Sequence, residues 1–230
     1  VIAVLPIEGV PEVRPGDDLS ALIAGAASRA GGKFELNDGD VVAVAHKVVS
    51  KSEGRLVTGV ERLAAARGEA RRILRRAGDM IISETRHGFI CANSGVDASN
   101  VEGDALALLP LDPDLSARRL RAGLERLAGA RLAVVVSDTF GRAWRVGQTN
   151  VAIGVAGMDP FIDYRGSTDA QGRDLAATQI CVADEIAGAA ELVMGKASGV
   201  CAAIVRGAPV RLGRGSATEI VRAPAEDLFR

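Results

Sequence analysis

The chain of 230 residues is 48% hydrophobic, enough to bury a sizeable core as one large domain or two tightly joined lobes. With 28 basic against 29 acidic side chains it has no net field to draw it to nucleic acid or to an anionic membrane, so any anion it binds must meet a local site. Three cysteines, at 91, 181 and 201, form neither a CxxC pair nor a disulfide framework, and no apolar run approaches a membrane span, which together point to a reducing, cytoplasmic setting.

In chain order, "VIAVLPIEGVPEVRPGDD" reads as a short strand broken at Pro6 and a turn-rich loop; lacking a basic leader region, it is not expected to act as a secretory signal. "DDLSALIAGAASRA" follows as a capped amphipathic helix with Leu19, Leu22, Ile23 and Ala26 on one face. "GDVVAVAHKVVSK" reads as a buried strand whose polar residues emerge at its far end. The Arg- and Ala-rich stretch from Val60 to Arg76 has helical period, with its cations on a solvated face. "DMIISETRHGFICANSGVDASNV" predicts two strands around a polar turn and then a polar loop.

A helix is expected behind Pro113, ending at a glycine. "RLAVVVSD" is a strand leading into the glycine-punctuated "TFGRAWRVGQTNVAIGVAG", and "DLAATQICVADEIAGAAELVMG" is a long helical pattern ending at Gly195. "VCAAIVRG" supplies a last strand. Strands and helices interleave irregularly, which predicts an α+β fold of mixed and antiparallel sheets with flanking helices rather than a doubly wound parallel sheet.

Two carboxylates stand out. Asp97 in "NSGVDASN" and Asp138 in "SDTFGR" each follow an apolar strand, and each is trailed by a neutral oxygen or amide donor, Asn100 and Thr139. Magnesium and manganese take oxygen ligands from a few carboxylates and leave their other positions to water and phosphates, a need that two such residues meet. The plainer role of an Asp in a Gly-rich turn is to cap backbone amides. Lys51 can approach a phosphate as a point charge, or belong with Lys47 and Arg55 to a solvated margin.

"AELVMGKASG" falls short of a P-loop, because Ala190 replaces the first glycine and the segment closes a helix instead of opening one; Gly195 and Gly199 still permit backbone approach to a phosphate. "GRGSAT" opens no helix and fails as a dinucleotide fingerprint. Arg142, Trp144, Arg145, Tyr164 and Arg165 bracket a glycine-rich strand and would suit an anionic, partly aromatic ligand, or simply pack together at the surface. His46 and His87 are too isolated to define a zinc site.

Assembled, these blocks resemble one family, the coenzyme F-420-0:L-glutamate ligases, also called gamma-glutamyl ligases. The resemblance runs through "EGVPEVRPGDDL", "GDVVAVAHKVVSKSEGR", "ETRHGFICANSGVDASNV", "DPDLSARRLR", "SDTFGRAWRVGQTNVAIGVAG", "DYRGSTDAQGRDL" and "ADEIAGAAELVMGKASG", most of the chain. It implies GTP-dependent addition of L-glutamate to a deazaflavin precursor, with magnesium or manganese and with help from potassium. Asp97, Asp138 and Thr139 correspond to metal ligands and Asn100 to a nucleotide contact. The loop Glu8, Gly9, Val10 and Pro11, with His46, Lys51 and the run Met194, Gly195, Lys196, Ala197, Ser198, Gly199 and Val200, corresponds to the rest of the GTP pocket.

The resemblance further implies a family-specific fold in an intertwined homodimer, one ligase unit over residues 1–230 built as two interleaved lobes, and no flavin-binding domain after it. Between "EGR" and "ETRHGF" the chain runs shorter than typical relatives. In the mechanism this suggests, Lys51 adds a fixed positive charge and Arg142 and Arg145 grip the carboxylates of glutamate or of the acceptor tail. Trp144, Tyr164 and Arg165 belong to the substrate side. A metal-dependent nucleotide phosphohydrolase and a non-catalytic GTP-binding module are the competing classes.

Overall fold

The computed structural model describes residues 1–99 and 103–227. Its centre is a five-stranded mixed sheet ordered β1 (Ala3–Pro6), β12 (Ala202–Arg206), β2 (Val41–Ala45), β8 (Ala133–Arg142) and β9 (Arg145–Ala156); only β2 and β8 run parallel. The apolar runs in β2, β8 and β12 arise because both sheet faces are covered. Val42, Val44, Val134, Val136 and Ile204 pack with α1 (Leu19–Ala30) and α4 (Pro113–Ala128), through Ile23, Leu120 and Leu124. Val41, Ala43, Val135 and Val205 face the other way, onto Ile186, Ala187 and Ala190 of α5 (Val182–Met194).

The caps agree with the sequence. Asp18 accepts from the Ala21 N–H and Asp112 from the Leu115 N–H, with Pro113 in the first turn of α4. Gly195, at a left-handed φ of 58°, closes α5 and turns the chain toward Lys196. Gly154 of β9 passes so close to α4 that a methyl group there would strike the Pro113 carbonyl.

A second, three-stranded antiparallel sheet of β4 (Ala70–Ala77), β5 (Met80–Thr85) and β6 (Ile90–Ala92) has its own small core of Leu63, Ala66, Ile81, Val96, Leu106 and Leu108. Two two-stranded ribbons complete the strands, β3 (Leu56–Val57) with β7 (Leu106–Ala107) and β10 (Ile162–Asp163) with β11 (Gln179–Ile180). The α+β class with mixed and antiparallel sheets is therefore observed.

Three elements differ from the sequence reading. The stretch expected to be one helix from Val60 to Arg76 is α3 (Arg62–Glu69) followed by β4, because pairing with β5 captures its second half. The polar end of the "GDVVAVAHKVVSK" strand is instead α2 (His46–Ser52). The long helical pattern before Gly195 begins only at Val182, the preceding residues being extended enough to form β11. Among the described residues no helix is long and apolar enough to cross a membrane.

Candidate active site

At the ends of β2 and β8 the main sheet opens into two adjoining cavities of about 470 and 410 Å³, a size suited to small-molecule ligands. Lys47, Asp138, Thr139 and Lys196 line both and so form their common wall. A β-bulge lies just before the wall. Between Val136 and Ser137 the register of β8 against β9 slips by one residue, with Ile153 of β9 as the extra residue, and beyond that bulge Asp138 pairs with Val151 and Thr139 with Asn150.

Asp138 is nearly buried, and its Oδ1 accepts from the Thr139 N–H at 2.7 Å. The buried imidazole of His46 brings Nε2 to 3.1 Å from the same oxygen without a hydrogen bond forming, so that this nitrogen has no hydrogen-bond partner among the described residues. The Asp138 Oδ2 carries no hydrogen bond from the described residues. Thr139 donates to Asn150 Oδ1 at 2.6 Å, Asn150 donates to Glu191 at 2.9 Å, and the Lys196 ammonium reaches the Thr139 hydroxyl.

Asp97 lies past the end of β6 and bridges Ala107 of β7. It follows a strained turn in which Asn93 and Ser94 both take left-handed φ, held by the Ile81 N–H on Asn93 Oδ1 and by the Ser94 hydroxyl on Ala66 O. Its Oδ2 lies 2.8 Å from Lys47 Nζ, which also donates to Ser99 at 2.7 Å. Burial alone would push the Asp97 carboxyl up, but the Lys47 ammonium and the Ser99 N–H outweigh it and hold the pKa at about 2. Cys91 shows how near the two carboxylates' surroundings are: burial first, then the negative charge of Asp138, push its thiol up to about 12.

Asp97, Asp138 and Thr139 thus line one cavity. Among the described residues no three His, Cys, Asp or Glu side chains cluster as a complete metal cage. What is present, two carboxylates and a hydroxyl with Asp138 Oδ2 unengaged, fits a magnesium- or manganese-type ion that keeps water or phosphate on its remaining positions. These three residues would hold it.

The larger cavity gathers His46, Lys51, Met194, Gly195, Lys196, Ala197, Gly199 and Val200. Ser198 shapes the turn, accepting from the Val200 N–H at 3.2 Å and donating to the Met194 carbonyl. Lys51 is buried and paired with Glu12. Glu8, Gly9, Val10 and Pro11 lie off the cavity wall, which Glu12 reaches in their place. Asn100 lies outside the described residues.

Arg142, Trp144 and Arg145 line neither cavity, although the Gly141–Gln148 pair just before the tip lines the smaller one. The β8 strand continues four residues past Asp138, which at about 3.3 Å per residue carries Arg142 roughly 13 Å onward to the hairpin tip. There its guanidinium caps the Val146 carbonyl at 2.8 Å, and Trp144 is 88% exposed with φ of 63°. Tyr164 and Arg165 also lie off these cavities; Arg165 grips Asp163 through two nitrogens, from 2.5 to 3.0 Å. Sequence reasoning missed Lys47, Asn150 and Glu191 as site residues. Reading "HKVVSK" as helix would have placed Lys47 and Lys51, four apart, on one face.

Compared with known proteins, the chain matches the family described as F420-0:Gamma-glutamyl ligase over residues 9–68 and 59–207. The two segments meet in α3, inside the stretch expected to be short. It is 41% identical to the coenzyme F420:L-glutamate ligase of Methanothermobacter thermautotrophicus over 251 residues, covering 100% of this chain and 99% of that protein. It is 44% identical to the enzyme of that name from Methanopyrus kandleri, covering 98% of each, and 37% identical to that of Methanocaldococcus jannaschii, covering 93% of this chain and 90% of the relative. With likeness of this extent running through the elements that build both cavities, the chain belongs to the F420-0:gamma-glutamyl ligase family.

Proposed function

We propose that this protein joins L-glutamate to a deazaflavin coenzyme F420 precursor through an amide, gamma-glutamyl bond, consuming GTP and forming GDP. The observation that carries the reading is the convergence of Asp97, in the loop after β6, and Asp138, on β8 of the main sheet, on one cavity whose wall also holds Lys47 and Lys196. The names of the relatives supply the substrates.

A free carboxylate is a poor electrophile, so amide formation in water requires its activation. In this reading the acceptor carboxylate attacks the γ-phosphorus of GTP, an oxygen–phosphorus bond forms, and GDP leaves. The amine of glutamate then attacks the carbonyl carbon of the acyl phosphate; the carbon–nitrogen bond forms, phosphate departs with the carbonyl–oxygen bond, and the amine loses a proton to solvent. A divalent cation, when bound, supplies charge neutralisation across the phosphates.

The chain's own residues do the positioning. Asp97, Asp138 and Thr139 fix where the negative charge must sit, and the Gly195–Gly199 turn lets backbone approach the nucleotide. Lys196 and Lys51 add fixed positive charge; near a protein surface a unit charge pair at 4 Å is worth roughly 4 kcal/mol. The buried His46 backs Asp138 from below. Potassium belongs to the same reading as an accessory cation. So does a homodimer, and the exposed hairpin tip with Trp144 and Val146 offers apolar surface for it.

Mass spectrometry tests the whole proposal. Incubated with deazaflavin precursor, GTP, magnesium or manganese, and L-glutamate, the protein should yield products heavier by glutamyl steps, with one GDP per step. GDP release that ignores glutamate would replace the ligase with a phosphohydrolase, and GTP binding without turnover would leave a binding module.

A further inference from the structure

Three cations line the smaller cavity, and two of them are already paired. Lys47 sits on Asp97 at 2.8 Å, and Lys196 on Glu191 at 3.4 Å. The third, Arg62, has no carboxylate partner among the described residues. Its neighbours differ: Arg55 and Arg86 pair with Glu69, and Arg71 and Arg72 with Glu84. The Arg62 guanidinium rests its Nε and Nη2 on the Val96 carbonyl alone, at 3.4 and 3.3 Å. Those contacts are longer than a good N–H···O bond, and they occupy the edge that would clasp a carboxylate with two parallel bonds.

Arg62 is the first residue of α3, directly after the N-cap Glu61, whose carboxylate accepts from the Leu63 and Ala64 N–H groups at 2.9 and 3.1 Å and forms no ion pair with Arg62. Gln148, on the β9 side of the same cavity, makes no side-chain hydrogen bond to a described residue and so keeps a donor and an acceptor to offer.

We propose that the smaller cavity is the subsite for the incoming amino acid, with Arg62 receiving one of its carboxylates and Gln148 hydrogen-bonding beside it. This rests on the ligase reading. The amino acid is the substrate that fits, because activation turns the acceptor carboxylate into the carbonyl of an acyl phosphate, with the negative charge moved onto the phosphoryl oxygens, whereas glutamate keeps both carboxylates throughout and needs a cation that stays unneutralised. The nucleotide has the larger cavity, which Arg62 does not line.

The test is steady-state kinetics in L-glutamate on the full chain, alongside GDP affinity by calorimetry and melting temperature as a folding check. Arg62→Ala should raise the KM for L-glutamate by roughly tenfold to a hundredfold, the scale of one lost charge-assisted pair, with GDP affinity within about twofold. Arg62→Lys should recover part of the loss, and it decides the matter if the alanine variant does not fold. Gln148→Leu should raise the same KM by a smaller factor. An unchanged glutamate KM in the Arg62 variants, or a fall confined to kcat, would overturn the subsite and leave the ligase standing. A wild-type protein that consumes no glutamate at all would remove the ligase, and the subsite with it.

Discussion

At the scale of single residues, the site turns on what each carboxylate already does. Asp138 keeps one oxygen on the Thr139 N–H, and an asparagine can keep that bond through its own carbonyl oxygen. Asp138→Asn should therefore fold with an unaltered melting temperature but lose roughly a thousandfold in glutamate-dependent GDP release, the cost of removing one anionic ligand from a phosphoryl-transfer site. Full activity in that variant would take Asp138 out of the mechanism. Asp184 makes the opposite case. Burial pushes its carboxyl above the ordinary 3.8, although it accepts from the Ala152 N–H at 2.8 Å. A raised folded pKa means that its contribution to stability is fully present below 3.8 and declines as pH rises through the folded value. Asp184→Asn, which keeps the acceptor without the charge, should melt level with the wild type below pH 3.8 and progressively above it toward neutrality; a constant difference across that range would contradict the assignment. Asp97 and Asp138 were legible in the sequence because hard-cation chemistry needs oxygen donors at strand ends. Arg62 was not, since its meaning lies in the absence of a partner that only the folded chain reveals.

At the scale of elements, capping chemistry and alternation were sound guides, and period alone was not. Asp18, Asp112 and Gly195 announce the ends of their helices through side-chain acceptors and a left-handed turn, which are local effects. The run "ARRILRRA" is as amphipathic on a helix as on a strand, and a non-local partner, β5, decides for strand. The same holds for the β8–β9 hairpin, which runs from Asp138 on the cavity wall to a tip whose Arg and Trp residues line neither cavity. Close packing gives this element an exacting requirement at Gly154. An added methyl there meets the backbone carbonyl of Pro113, which cannot swing aside as a side chain can. Gly154→Ala should cost about 1–3 kcal/mol in chemical denaturation, as overpacking of a filled core does, and a neutral result would mean that α4 slides freely on β9.

At the scale of the whole molecule, the main sheet with a core on each face and the small core beside the three-stranded sheet share one site. The main sheet brings Asp138 and Thr139, while the segment after β6, packed on the small core, brings Asp97, and Lys47 ties the two together at the site through Asp97 and Ser99. The shared wall could be foreseen only in part, because pairing between distant segments leaves no local trace in the chain. A cation held jointly by Asp97 and Asp138 would add a tie present only when ligand is bound, and ligands that bind the folded state alone stabilise it by mass action, about 2.7 kcal/mol at a hundred times Kd. GDP with magnesium should then raise the melting temperature by more than the sum of either alone, and should slow hydrogen exchange at the Asp97 and Ser99 amides, far in sequence from the nucleotide turn at Gly195–Gly199. Asp138→Asn should abolish that excess while still binding GDP weakly. Simple additivity of the two ligands, together with unchanged exchange at Asp97, would mean that the two carboxylates do not share an ion, and the acidic pair would have to be reassigned to holding Lys47 and Thr139 in place.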